Sequence, residues 1–431
     1  AKAPRNQRRS SRSWLRWQVL ALLFFYIQTT QQNWLLNISR ISFHSTDNTV
    51  LLDEVTLKNL EIFSSSYEWN EKYSLIWVLD TTKTAGWWRL FRSLLSNPIN
   101  NFHQLTYRHN HIEYYFYHEQ ETHKIHYQLW FVCDIEKTIS NLLYRKLLPS
   151  GFIKLRNSLK IVFEQPFIQQ ELLRIGLSEE VKKSVQSFYH TLQNTLKDDE
   201  EYSDDMNFIR DGIDDEIDKL REIAFHSDKL LVQYQQFLSE ITNISNIKVK
   251  FILNQGYFIE ITNKDIEQFE KKIFEYQQNH PEEGKTNLLR RNTLKGGQRF
   301  TSPYLDHLQE SILQAKNQLV KIEFNRLAYL QQEMAMILSS LTTFSWFLSW
   351  LDVFTSHALF AKQHFYIKPT ITTNHRIEII EGRHPVIEQF LPKEQKFIPN
   401  TLTFWDHNDF LHIITWPNMW GKSTYLRQNA L

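Results

Sequence analysis

The spacing of apolar residues changes character along the chain, and each change marks a change of predicted structure. From about residue 14 to residue 246 the period is mostly helical with short interruptions. Ile209, Ile213, Ile217, Leu220 and Ile223 recur at spacings of four, four, three and three, which predicts one apolar stripe on a helix running toward Leu238. The acidic run beside it, Asp198, Asp199, Glu200, Glu201, Asp204 and Asp205, reads as a solvated helix junction, because nothing in the sequence converges those carboxylates on a metal. Near the start, the apolar stretch Val19 to Ile27 follows a basic run of Arg5, Arg8, Arg9 and Arg12. It is too short for a bilayer, which needs about 20 residues, and no small-residue cleavage site follows it. The expectation is a buried core helix.

At Ile247 the period shortens. Lys248 to Leu253, a turn at Gly256, and Tyr257 to Thr262 predict two strands with β-branched and aromatic content. Ser302-Pro303 restarts a helix, serine as N-cap and proline in the first turn. Leu305, Leu308, Ile312, Ala315, Leu319 and Ile322 then alternate spacings of three and four, the seam of a coiled coil or a long packed helix. Leu327, Leu330, Met334, Ile337 and Leu341 carry helix on toward Trp350. The end differs again. Arg376 to Ile380 and Leu411 to Thr415 read as strands, and the second runs through a loop into the helical Tyr425-Leu426-Arg427. The fold class expected is mainly α with a small β insert, followed by the beginning of an α/β P-loop unit. The boundaries fall at 1–246, 247–300, 301–365 and 366–431.

Composition narrows the chemistry. A chain of 431 residues, 42% apolar and 23% charged, has the makeup of a folded protein of several domains. Its 49 basic and 48 acidic residues leave a net charge of +1, so any binding to DNA must come from a local patch. A single cysteine, Cys133, cannot close an intrachain disulfide, and the chain lacks the Cys/His clusters of structural zinc, which points to a reducing compartment. His118-Glu119 and His123 miss the zinc-binding H-E-x-x-H spacing by one residue and read as surface helix. Glycine is anomalous: about 7% of residues, roughly 30 here, is usual. The chain has 10, against 13 tryptophans.

The segment after the last expected strand, Trp416 to Ser423, reads W-P-N-M-W-G-K-S. It fits the phosphate-binding pattern G-x-x-x-x-G-K-[ST] except at its first position. In such a loop backbone N–H groups wrap the phosphates and a helix N-terminus adds positive potential. Lys422 would reach the outer phosphates and the Ser423 hydroxyl would ligate Mg²⁺. Glycine at the first position allows a backbone that a Cβ obstructs. An indole at Trp416 should abolish the cradle.

Thr415 to Gln428 resembles the T-G-P-N-M-G-G-K-S-T-Y-[LM]-R-Q segment of the MutS family of DNA mismatch-repair ATPases. Upstream blocks resemble the same family in order. They are Asn59-Leu60-Glu61, Val78 to Ala85, Ile209-Arg210-Asp211-Gly212 with Asp215-Glu216, Arg290 to Lys295 with Arg299-Phe300, and Gly382 to Glu388. The resemblance implies the end of a connector and a helical core or lever in 1–246, a clamp in 247–300, returning lever helices in 301–365 and the truncated start of a P-loop ATPase domain in 366–431. It implies ATP bound by Phe397, Pro417, Asn418, Gly421, Lys422, Ser423 and Thr424, with Phe397 stacking on adenine and Mg²⁺ on Ser423. It also implies duplex DNA gripped through its phosphates, for which Lys248, Lys250, Lys264, Lys271 and Lys272 are the candidates in the insert.

The family context further implies mismatched DNA as target, a homodimer, a MutL-type partner, a cytoplasmic setting and no membrane. Both ends read as cut, so the chain is expected to be a fragment without the mismatch-reading domain and the hydrolytic carboxylate, unable to turn over ATP alone. Alternatives are the family branch without mismatch reading, which acts in recombination or ribosome rescue, and a helical scaffold with a vestigial loop. Trp77, Trp87, Trp88, Trp416 and Trp420 all stand where the family usually has glycine. The expectation is that many tryptophans are glycines in the native protein, through a UGA codon read as Gly. Glycine and tryptophan together number 23, closer to ordinary glycine usage.

Overall fold

The computed structural model describes residues 17–26, 29, 49–66, 70–198, 207–225, 227–252, 256–280, 284–294, 297–374, 376–392, 395–404, 411–415, 417 and 421–431. In chain order the helices begin with α1 (Trp17–Tyr26), α2 (Glu54–Asn59), α3 (Leu75–Leu79), α4 (Ala85–Ser96), α5 (Phe102–Tyr117) and α6 (Glu119–Leu129). Then come α7 (Ile135–Leu143), α8 (Pro149–Phe163), α9 (Pro166–Arg174), α10 (Glu179–Thr195), α11 (Asp215–Phe225) and α12 (Ser227–Thr242). Strands β1 (Lys248–Ile252) and β2 (Gly256–Thr262), helix α13 (Ile266–Asn279), and strands β3 (Leu289–Leu294) and β4 (Gly297–Thr301) follow. Helices α14 (Pro303–Met336) and α15 (Leu338–Gln363) lead to β5 (Ile377–Gly382), α16 (Ile387–Phe390), β6 (Asn400–Phe404) and α17 (Lys422–Ala430). The chain packs into two compact units, one of residues 1–147, 154–189 and 335–431, the other of residues 148–153 and 190–334.

The first unit is built around α15. Its 26 residues are apolar on most faces, and Leu341, Phe344, Leu348, Leu351, Phe354 and Ala358 are buried. Helices α4, α5, α6, α7 and α9 pack on it. Buried hydroxyls on α15 bond back to its own carbonyls, Ser349 to Ser345 at 3.0 Å and Thr355 to Leu351 at 2.8 Å, so they need no outside partner. Asp352 is the exception. Its fully buried carboxylate accepts the backbone N–H of Thr84 at 2.9 Å and of Lys83 at 3.4 Å, and the Ser356 hydroxyl at 3.1 Å. Thr84 in turn caps α4, its hydroxyl accepting the Trp87 N–H at 3.3 Å. Helix α4 lies close to α15 here, since a Cβ at Gly86 would come within 2.8 Å of Ser349 Oγ. Across from it, Arg89 ties α4 to α7 through a two-pronged contact with Asp134 at 2.9 and 2.7 Å and a third bond to Glu136 at 2.7 Å.

The second unit centres on a four-stranded antiparallel sheet of order β1-β2-β4-β3. The hairpin expected from the sequence is present, β1 pairing β2 from Lys248↔Glu260 to Ile252↔Gly256. Strands β3 and β4 and helix α13 were not anticipated. Phe269 and Ile273 of α13 join Tyr234, Leu238, Ile259, Ile261, Phe300 and Leu305 in one core. Gly297 permits β4 to approach β2, where a Cβ would run into the Ile261 carbonyl. Helix α14 starts as expected, Ser302 Oγ accepting the Leu305 N–H at 3.2 Å, and Leu305, Leu308, Ile312, Ala315 and Leu319 are buried along its seam.

Three expectations are overturned. Residues 209–223 do not form one helix: Ile209 sits in a β-bridge with Leu196, Gly212 takes φ +81°, and α11 begins only at Asp215. Buried charge explains the interruption. Arg221 bonds Asp211 at 2.5 Å, the Ile209 carbonyl at 2.7 Å and the buried Glu323 at 3.2 Å, while Glu323 accepts the Asn207 N–H at 2.8 Å. These contacts hold 207–211 as a loop. Helix α1 forms, yet Val19, Leu22, Leu23 and Phe25 are exposed, so it is not a core helix. Residues 411–415 are irregular, with Leu411 and Ile413 exposed, because no strand pairs with them among the described residues. Most of the acidic run, residues 199–205, lies outside the described residues, and Asp198 is exposed beside Arg210 at 3.2 Å. His118 and His123 belong to the start of α6, His123 lying 3.8 Å from Glu119 on an exposed surface.

Burial pushes the Asp352 carboxyl up to about 6, and burial pushes His357, one turn on, down to about 4. A raised carboxyl favours the folded state most below its unfolded value and loses that advantage as pH rises through about 6. His357 has the opposite slope, its stabilisation falling away as pH drops below the ordinary histidine range. Replacing Asp352 by Asn removes only the first slope. Urea denaturation from pH 4 to pH 7 should therefore show the Asp352→Asn variant gaining on the parent as pH rises, by roughly 3 kcal/mol across the window. A difference independent of pH would contradict the buried-carboxylate account.

Candidate nucleotide and DNA sites

The nucleotide loop candidates surround the start of α17. Gly421 takes φ +84° and no atom of the described residues lies within 4 Å of where its Cβ would sit, so the backbone there is open as well as left-handed. Among the described residues no side chain caps α17, which leaves its first N–H groups without an intrahelical or capping acceptor. That arrangement is suited to an anion. Ser423 is exposed, and Lys422 and Thr424 are half-buried on the same first turn. Pro417 is exposed, while Trp416, Asn418 and Trp420 lie outside the described residues.

Three neighbours fix α17. Its buried Gln428 accepts the Asn400 side-chain N–H at 3.1 Å, which joins the helix to β6. Gly382 at the end of β5 gives the close approach, since a Cβ there would lie 2.7 Å from Ile379 and 2.8 Å from Gln428. Arg427 reaches Glu61 at 3.2 Å. Phe397 is half-buried three residues before Asn400, so the Asn400–Gln428 bond brings its segment beside the loop helix. His384 is buried next to this cluster, its Nδ1 accepting the Val386 and Ile387 N–H groups at 3.3 and 3.4 Å. Burial, then the Arg427 charge, holds it below the ordinary histidine range, and the neutral ring is the form that accepts both bonds.

The five candidate DNA-binding lysines are all exposed in the second unit but do not form one cluster. Lys248 and Lys250 share a face of β1, an edge strand, with Lys250 engaged by Glu260 at 3.2 Å. Lys264 stands in the turn after β2, and Lys271 and Lys272 lie on α13, Lys272 paired with Glu275 at 2.8 Å. Arg290 and Arg291 on the opposite edge strand, β3, are exposed basic residues of the same sheet. They were legible in the sequence as a motif but not as surface charge, because β3 itself was not predicted. Among the described residues no single helix is long and apolar enough to cross a membrane.

Comparison with known proteins agrees with this architecture. The MutS domain III family model matches residues 55–358. The chain is similar to proteins named DNA mismatch repair protein MutS in three organisms. In Lachnoclostridium phytofermentans it is 29% identical over 415 residues, covering 94% of this chain and 42% of the relative. In Clostridium botulinum strain Okra it is 30% identical over 412 residues, 95% of this chain and 43% of the relative. In Caldanaerobacter subterraneus subsp. tengcongensis it is 28% identical over 418 residues, 96% of this chain and 46% of the relative. The chain thus spans less than half the length of the curated relatives it matches. With a helical framework, an antiparallel insert and a domain III match over most of its residues, the chain belongs to the MutS family.

Proposed function

We propose that this chain supplies the lever, clamp and nucleotide-loop portion of an ATP-switched DNA mismatch-repair factor. The observation that supports it most is the uncapped start of α17 behind a left-handed Gly421, with Lys422 and Ser423 on its first turn. In this reading Pro417, Asn418, Gly421 and Thr424 contribute to the cradle and Lys422 pairs with the outer phosphates of ATP. The Ser423 hydroxyl would help hold Mg²⁺, which would supply charge neutralisation for the phosphates. Phe397 stacks on the adenine. Lys248, Lys250, Lys264, Lys271 and Lys272 meet duplex phosphates without reading bases. Mismatched DNA as target, a homodimer, a MutL-type partner and a cytoplasmic setting belong to the same proposal.

The loop works only with glycine at 416, and we propose that Trp77, Trp87, Trp88, Trp416 and Trp420 are glycines in the native protein. The glycine deficit supports this, as does the coincidence of all five residues with family glycine positions.

Three measurements check the proposal. With glycine at 416 and 420, Lys422→Ala should weaken nucleotide binding by about tenfold or more, the loss of charged hydrogen bonds, and leave nucleotide-free DNA binding nearly unchanged. Unaltered nucleotide affinity would refute the loop assignment. Replacing Lys248, Lys250 and Lys264 together by Ala should weaken binding to matched and mismatched duplexes alike, and flatten the log–log salt dependence by up to about 0.9 for each phosphate no longer neutralised. An unchanged slope would remove those lysines from the interface. Peptide mass spectrometry of the native protein should find glycine at the five positions, and tryptophan at all five would end the recoding proposal.

A further inference from the structure

Arg427 and Glu61 come from distant parts of the sequence and meet at 3.2 Å with both side chains mostly shielded from solvent. Arg427 lies on α17 one turn beyond Lys422 and Ser423. Glu61 lies just past α2, far along the chain from the nucleotide loop. Its surroundings give the pair directional meaning. Glu61 adopts φ +56°, a left-handed conformation that a β-carbon makes costly and that surrounding contacts must hold. One carboxylate oxygen accepts the Ser66 N–H at 3.0 Å and the other takes the Arg427 guanidinium. Its backbone carbonyl accepts the Leu75 N–H at 2.9 Å, and the next carbonyl, of Ile62, accepts the Ile76 N–H at 3.0 Å. Glu61 therefore fixes where α3 begins. Residues 80–84 follow α3 directly, and there the Lys83 and Thr84 N–H groups end on the buried Asp352 of α15.

The other anchors of α17 do not have this property. The Gln428–Asn400 bond and the Gly382 approach join the helix to β5 and β6. Val386 packs on Ile62 and Leu75, but an apolar contact of that kind sets no direction. We infer that the Arg427–Glu61 ion pair is the joint through which the nucleotide-loop helix sets the position of the α2–α3 segment, and through it α15. This rests on the proposed nucleotide site. A ligand that draws Lys422 and Ser423 toward its phosphates shifts α17, and the charged pair obliges Glu61 to follow or to separate. Both residues act on position, since neither belongs to the phosphate cradle.

The test uses the intact protein with glycine at 416 and 420, and reads two quantities: affinity for a fluorescent ATP analogue, and the change in DNA residence time caused by ATP. Glu61→Gln keeps the volume and the acceptor for Ser66 but removes the charge. It should leave ATP affinity within about twofold while reducing the ATP-induced change in DNA residence at least about fivefold, the lower end of ordinary coupling between sites. Arg427→Gln, which leaves Glu61 on the Ser66 N–H, should reproduce that split, so the inference does not depend on one variant folding. The exchanged pair, Glu61→Arg with Arg427→Glu, should recover part of the response. A full response to ATP in both single variants would overturn the inference, as would a loss of ATP affinity of about tenfold, since the pair would then serve the pocket. Lys422→Ala separates the two levels. If it binds nucleotide normally, the nucleotide reading itself fails; if it does not and Glu61→Gln responds normally, only the joint fails.

Discussion

One buried carboxylate organises the helical unit. Helix α15 is apolar enough to collect five other helices around it, but apolar packing does not by itself set their register. Asp352 does, because a fully buried charge is tolerable only with its hydrogen bonds complete. Two of those bonds come from the backbone at Lys83 and Thr84, so the start of α4 is held at one point along α15. A hydrophobic residue at 352 would pack without specifying that point. The price is the upward shift of its carboxyl and a dependence of stability on pH.

The same logic of enforced position recurs at α17. Gly382 lets the helix lie against β5, Gln428 bonds β6, and Arg427 reaches Glu61, so α17 is held from three sides while no side chain among the described residues caps its start. A phosphate cradle needs that combination of fixed helix and uncommitted N–H groups. In the second unit the exposed lysines and arginines are spread over both edges of a sheet and the helix beside it. Such a distribution suits contact with a backbone better than recognition of a single base.

Much of this was legible in the residues themselves. The seam of α14 and the β1–β2 hairpin follow from period alone, and the start of α14 from its Ser-Pro pair. Period failed where tertiary contacts outbid it. Ile209 and Ile213 have helical spacing to Ile217, yet Arg221 and Glu323 hold the preceding residues as a loop, and no local pattern announces a buried ion pair 102 residues apart in sequence. Strand β3, rich in Arg, Asn and Thr, shows little hydrophobic alternation, so it was visible only as part of a family motif. The reverse error occurred at α1, where an apolar run suggested burial that the fold does not provide. For the candidate site, Lys422 and Ser423 were readable from their motif; Glu61 and Gln428 also stood in family-like blocks, but their contacts were not legible, because these arise from chain segments brought together only by folding.

If the proposed nucleotide and DNA sites bias one equilibrium, thermodynamic linkage makes that measurable without assuming any structure for the switch. ATP affinity measured with and without saturating duplex, and duplex affinity measured with and without saturating ATP under non-hydrolysing conditions, give two ratios. The account predicts that both differ from one and equal each other within error. Ratios of one, with each ligand binding normally, would contradict it: loop and clamp would then be two independent sites on one chain.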